Sequence, residues 1–322
     1  MHADAHRLPR VGLLFPGQGS QYPGMADPWL SHPAGRAVLD EASETLGEDL
    51  VSVCRDEARL DDTALVQPAI VACDVAAYRV VRERGIVPVA AAGHSVGEYA
   101  ALVASGAVPL RAAIEAVVER GRAMADAARE TPGAMTALIG LDADQAKTVA
   151  GVAGRGGVLT VANLNSPTQI VLAGTVPAVE QAEAMARSRG AKAVRLRVAG
   201  AFHSPLMRPA LPRVRAAVSR MPFSAPEFPV IPNGSGAPEE NPAALQHHLS
   251  RHVGSAVRWA ASMRSMAALD VDVFVEAGPG QVLAKLVKRC VPGAAAMAIG
   301  SPEQAETLAA SQPASSEDRD AG

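Results

Sequence analysis

The chain has only three cysteines in 322 residues, Cys54, Cys73 and Cys290, widely separated and never in a CxxC pair. That argues against a disulfide framework or a zinc site, and it fits a reducing compartment. An excess of either charge is missing too. The net charge is −3 and the pI about 6.3, so the chain as a whole carries no footprint for nucleic acid or an anionic membrane. No uninterrupted apolar run reaches the roughly 18–20 residues of a membrane span, and the opening MHADAHRLPR lacks the apolar core of a secretory signal. A cytoplasmic location is expected. What the chain does have is apolar content: 48% of its residues are hydrophobic, enough for one large domain or a large one with a smaller partner. The stretch from 301 to 322 is polar and rich in small residues, and a disordered tail is expected there.

Val11-Gly12-Leu13-Leu14-Phe15, closed by Pro16-Gly17, has the pattern of a buried strand ending in a loop. Residues 64–84 carry apolar side chains at helical spacing, with Gly85 as the stop. A second apolar run, 86–90, leads into Gly93-His94-Ser95-Val96-Gly97. Helical patterns follow from Glu98 and over 110–130. Strands alternating with helices imply a mainly parallel sheet covered on both faces, an α/β-hydrolase-like domain.

The middle of the chain reads differently. Strands are expected at 133–140, 158–164, 169–173 and 191–198, and helices at 142–153 and 176–189. The order β-α-β-β-α-β is the split unit of a ferredoxin-like fold. A small domain at 131–199 is therefore expected, inserted into a large domain made of 1–130 and 200–300.

GHSVG matches the GxSxG elbow, whose glycines let the backbone turn sharply and expose the serine hydroxyl above the sheet. A helix beginning at Ser95 would offer free amides, that of Val96 above all, to an oxyanion. The pentapeptide alone fits a tight turn equally well. A nucleophilic serine needs a base, and histidine titrates in the right range. His2 and His6 lie at the N-terminus, His32 in a loop, and His247, His248 and His252 in a polar, exposed helix. His94 adjoins the serine and suits packing of the turn. His203, in GAFHSPLM, is the remaining candidate.

Several segments occur in one order: FPGQGSQYPGM at 15–25, QPA at 67–69, GHSVGEYAAL at 93–102, RG at 120–121, NLNSPTQIVLAG at 163–174, GAFHSPLM at 200–207 and VRW…EAGPGQVLAKLVKR at 257–289. Together they resemble the malonyl-CoA:acyl-carrier-protein transacylases and the related acyltransferases of polyketide synthases, over about 11–299. The resemblance implies Ser95 as acylated nucleophile and His203 as its base, with Gln18 and the Val96 amide forming the oxyanion hole. It implies a backbone carbonyl near Arg258 orienting the histidine in place of a carboxylate, and it places Gln67 and Asn165 near the site. Arg120 would present its planar fork to the free carboxylate of a malonyl-type group. Phe202, in an AFH rather than ASH sequence, would crowd an α-branched acyl group. Gly200 departs from the histidine common before AFHS.

The resemblance implies coenzyme A thioester as substrate, no cofactor and no metal, and an acyl carrier protein or polyketide synthase carrier domain as acceptor. A monomer is expected. For docking an acidic carrier, Arg195 and Arg197 stand on one face of the expected last strand, opposite Val194, Leu196 and Val198, with no acid among the neighbouring cations. Lys285 and Lys288, beside Arg289, form a second patch. The AFHS signature leans towards supply of malonyl in trans for polyketide synthesis. A housekeeping fatty-acid transacylase, an editing thioester hydrolase and a non-catalytic carrier-docking subunit are the alternatives.

Overall fold

A computed structural model describes residues 9–310. Most of the N-terminal segment, with His2 and His6, and the part of the expected tail beyond 310 lie outside the described residues. Strand β1 (Val11–Phe15) is buried throughout. Helices α1 (Pro33–Leu46), α2 (Leu50–Arg55), α3 (Glu57–Leu60) and α4 (Thr63–Glu83) follow, then β2 (Pro88–Gly93), α5 (Gly97–Ala104) and α6 (Leu110–Glu130). Asp62 caps α4 by accepting from the Ala64 amide. Among the described residues α4 alone is long and apolar enough to cross a membrane, and it is instead a core helix, mostly buried and packed on α1, α5 and α6. Ile70 and Val71 on α4 are fully buried, each stabilising the fold by roughly 1.5–3 kcal/mol relative to exposure.

Next come β3 (Ala134–Ile139), α7 (Ala143–Ala153), β4 (Leu159–Ser166), β5 (Gln169–Gly174), α8 (Val176–Ser188) and β6 (Lys192–Arg195). They make an antiparallel sheet of order β4-β5-β3-β6, the ferredoxin-like arrangement expected. Its side chains alternate: Leu138, Ile170 and Leu172 join the cluster with α7 and α8, whereas Met135, Ala137 and Val171 turn to the other face and join the main core. The final strand is shorter than its sequence pattern, because the ladder with β3 ends at Arg195 paired to Thr136. Val194 is 36% exposed, which corrects the expectation of an apolar inner face at that residue. An edge strand has a neighbour on one side only, and Val194 is left partly open there.

Helices α9 (Leu211–Arg220), α10 (Pro242–Arg251) and α11 (Trp259–Ala268), strand β7 (Val273–Ala277), α12 (Val282–Cys290), β8 (Ala295–Ile299) and α13 (Pro302–Ala310) complete the chain. The second sheet, β2-β1-β7-β8, is parallel in every pairing. Helix α13 corrects the expected start of the tail. Ala305 and Leu308 are buried and the helix packs on α4, so apolar residues too sparse in the sequence to stand out still cover a core helix. Strand β4 is also tied to the segment that leads into α11: Leu164 donates to the Val257 carbonyl and Val257 to that of Ala162, both at 2.8 Å.

Candidate active site

The elbow between β2 and α5 forces Ser95 to φ +52°, a region rarely open to residues other than glycine. Both flanking glycines are needed for close approach. A Cβ at Gly93 would lie 2.0 Å from the Gly97 carbonyl oxygen, and one at Gly97 would lie 2.3 Å from the Phe15 carbonyl oxygen. Gly97→Ala is therefore expected to destabilise the protein by about 3 kcal/mol or more, because the obstructing atoms are backbone and cannot rotate away. Chemical denaturation measures it; a loss below about 1 kcal/mol would contradict the geometry.

The Ser95 hydroxyl donates to His203 Nε2 at 2.8 Å. His203 is buried and also has a left-handed backbone, φ +59°. Its Nδ1 faces the carbonyls of Ser255 at 2.9 Å and His252 at 3.2 Å. Carbonyl oxygens only accept, so Nδ1 carries the proton and Nε2 presents its lone pair to the serine. This corrects the assignment of the orienting carbonyl to Arg258: the carbonyls belong to Ser255 and His252. The Arg258 carbonyl instead caps the first turn of α11, accepting from Ala261 and Ser262. Burial, then the charges of Arg120 and His94, push the His203 pKa down to about 3. The imidazole is neutral at physiological pH.

His252 is buried rather than exposed, a second correction. Its ring lies 5.2 Å from that of His203, and burial holds it uncharged, well below the ordinary histidine range. It terminates α10, where the chain turns inward to deliver the two carbonyls. His94 packs the turn as expected: its ring lies against Trp259 and its Nε2 meets the Asn165 side-chain oxygen at 2.9 Å. Asn165 thus ties the elbow to β4.

Arg120, on α6, is 1% exposed. It donates to Ser95 Oγ at 3.2 Å and to Gln67 Oε1 at 2.5 Å. Gln67 is held in turn by its Nε2, which donates to the sulfur of Met124 at 3.6 Å. The Arg120 Nε is buried without a partner, and no carboxylate forms an ion pair with Arg120 among the described residues. Tyr99 and Glu98 act on it only through space, and a buried cation without an ion-paired carboxylate costs several kcal/mol.

These groups line one cavity of about 220 Å³ between the two sheets. Gln18, Val96 and Phe202 line it, as do Met135 and Val171 from the antiparallel sheet and Val282 and Leu286 from α12. Among the described residues no hydrogen bond uses the Val96 amide. The Ser95 amide, by contrast, is bound by Asn233 Oδ1 at 2.8 Å. Asn233, Met124, Ser255 and the buried Glu98 were not among the residues singled out from sequence. Burial raises the Glu98 carboxyl to about 7 against the pull of Asn233 and Arg120.

The basic patches differ from one another. Arg195 is clamped to Glu183 of α8, its Nε at 2.7 Å and Nη2 at 3.2 Å, and Arg187 reaches the same carboxylate at 3.5 Å. The acid missing from the linear stretch arrives from the neighbouring helix, which corrects the picture of an uncompensated face there. Arg197 is exposed beyond the end of β6. Lys285 and Lys288 are exposed on α12, without an ion pair among the described residues, and the half-exposed Val282 on the same helix lines the cavity. Among the described residues no cluster of side chains is suited to hold a metal ion.

Residues 13–312 match the acyl transferase domain family. A malonyl CoA-acyl carrier protein transacylase of Bacillus subtilis (strain 168) is 38% identical over 93% of this chain and 96% of its own length. The solved malonyl CoA-acyl carrier protein transacylase of Coxiella burnetii superposes with a TM-score of 0.90 at 34% identity, covering 95% of this chain and 99% of that one. A malonyl-transacylase solved in complex with its type II PKS acyl-carrier protein gives a TM-score of 0.90 at 35% identity, over 94% and 99% of the two chains. The chain belongs to the acyl transferase family, alongside the malonyl CoA-acyl carrier protein transacylases.

Proposed function

We propose that this protein moves a malonyl group from coenzyme A, through an ester on Ser95, to the phosphopantetheine thiol of an acyl carrier protein. The observation that carries the reading is Arg120: a buried cation with no ion pair among the described residues, 3.2 Å from the Ser95 hydroxyl oxygen. A free carboxylate on the acyl group supplies the missing counter-charge at that distance. The Ser95 proton passes to His203 Nε2 as Oγ attacks the thioester carbonyl. The carbon–sulfur bond then breaks, and the proton leaves on the coenzyme A thiol. In the second half the carrier thiol gives its proton to His203 and attacks the ester, and Ser95 recovers its hydroxyl. Gln18 and the unused Val96 amide serve as oxyanion donors, each such donor being worth roughly 3 kcal/mol in the transition state. The cleft between a discontinuous unit, 1–130 with 200–300, and the inserted unit 131–199 holds the acyl group and the pantetheine arm.

Phe202 walls the cavity and favours malonyl over methylmalonyl, by roughly 10–200-fold for one methyl group. The same AFH sequence supports delivery in trans to a polyketide carrier. Comparing transfer rates to fatty-acid and polyketide carriers, with both donors, tests that finer reading. Preference for the fatty-acid carrier would make the protein a housekeeping transacylase. Rapid release of free malonate without transfer to any carrier would make it a hydrolase.

Lys285 and Lys288 are the cations best placed to meet an acidic carrier beside the cavity mouth, because Arg195 is already neutralised. Reversing both to glutamate is expected to raise KM for the carrier about tenfold or more while leaving acylation by malonyl-CoA within about twofold. Reversal of Arg195 instead breaks its pair with Glu183, and a comparable carrier-specific defect there with none at Lys285 and Lys288 would move the docking face to β6.

A further inference from the structure

The backbone of Ser95 holds its left-handed conformation only because surrounding groups hold it there. Asn233 bonds the elbow on both sides of its amide group. It is buried and lies 138 residues from Ser95 in sequence. Its Oδ1 accepts from the Ser95 amide at 2.8 Å, and its Nδ2 donates to the Gly93 carbonyl at 2.6 Å and to Glu98 Oε2 at 2.5 Å. The Asn233 backbone amide donates to the same Glu98 oxygen at 2.8 Å. One residue therefore ties the end of β2, the elbow and the first turn of α5.

A side-chain amide has a donor end and an acceptor end of nearly equal shape, and its neighbours decide which points where. The Gly93 carbonyl and Glu98 both call for the donor end, which leaves Oδ1 for Ser95. We infer that Glu98 is a positioning residue for Ser95 and acts through Asn233. It fixes the direction of the Asn233 amide, which fixes the peptide at Ser95, so that the hydroxyl stays 2.8 Å from His203 Nε2 and the Val96 amide is left for the carbonyl oxygen. The inference rests on Ser95 being the residue acylated.

Single-turnover acylation by malonyl-CoA, followed by intact-protein mass, tests it in the full chain. The proteins are the unsubstituted chain, Glu98→Ala, Asn233→Ala, the double variant, Glu98→Gln, and Ser95→Ala as the zero. Each alanine variant is expected to acylate about tenfold or more slowly, with the half-saturating malonyl-CoA concentration within about twofold, since a displaced nucleophile loses rate rather than binding. The double variant is expected to be no slower than Asn233→Ala, because both hydrogen bonds that the Glu98 carboxyl accepts come from Asn233. Glu98→Gln, which keeps the shape and loses the charge, is expected to be slower by about threefold or more. Wild-type rates in Glu98→Ala, or losses that multiply in the double variant, overturn the inference. If Glu98→Ala does not fold, a wild-type rate in Glu98→Gln overturns it. Failure of the unsubstituted chain to acylate at Ser95 sinks the nucleophile assignment instead.

Discussion

Alanine in place of Ser95 is expected to lower malonyl transfer by roughly 10,000-fold or more, to the level left by binding and the oxyanion donors alone. On the proposed mechanism the attacking hydroxyl is then gone, and neither His203 nor Arg120 replaces it. Removing His203 is expected to cost about as much as removing Ser95, because the two act as a unit, and removing both costs little beyond either alone. Radiolabelled malonyl-CoA and carrier protein measure the effect directly, with a labelled acyl-enzyme trapped from the unsubstituted protein and none from Ser95→Ala. Transfer within tenfold of wild type in Ser95→Ala would mean that the carrier thiol attacks malonyl-CoA without the covalent intermediate.

Arg120→Ala is expected to lower kcat/KM for malonyl-CoA by roughly 100-fold or more, in keeping with loss of a buried charge-assisted contact. The informative arm is the opposite substrate. Acetyl-CoA has no carboxylate, so in the unsubstituted protein it would leave the guanidinium buried and unpaired. Without the guanidinium that penalty disappears, and acetyl transfer is expected to rise in absolute terms. Arg120→Lys should recover only part of the malonyl activity, since an ammonium cannot reproduce the fork that spans Gln67 Oε1 and the serine. Equal losses for malonyl and acetyl would show that Arg120 supports the fold of the pocket and does not select the acyl group. Melting temperatures of the variants separate the two cases.

How much of this was legible in the residues depended on distance along the chain. The elbow is a local event, with glycines at fixed offsets from Ser95, and it was readable as such. So was the β-α-β-β-α-β order, because the change from helical to alternating periodicity happens within a few residues. His203 became a candidate by elimination of the other histidines, and Arg120 only through its place in an ordered set of motifs. Asn233 could not be reached in either way. It stands in Pro232-Asn233-Gly234, where local chemistry predicts a turn, and nothing nearby says that its amide crosses to Gly93 and Ser95. Glu98 looked like an ordinary first-turn acid of α5 for the same reason. The error at Arg258 has a physical cause as well: the segment was correct, but the register of a turn with two carbonyls aimed inward is set by the end of α10 and the buried ring of His252. Arg195 looked unpaired because its acid comes from a helix whose packing on β6 is a tertiary fact.

The buried charge of Arg120 has one more effect. After burial itself, it is the foremost cause that holds His203 down at about 3, so the cation that waits for the substrate also keeps the resting base weak. On the proposed mechanism an arriving malonyl carboxylate would cancel that charge, and the lone pair on Nε2 would become more basic at the moment a proton must be taken from Ser95. An acyl group without a carboxylate would leave the base in its weak state. Discrimination would then operate twice, once as affinity and again as reactivity, with the substrate's own charge as the trigger for the proton transfer that consumes it.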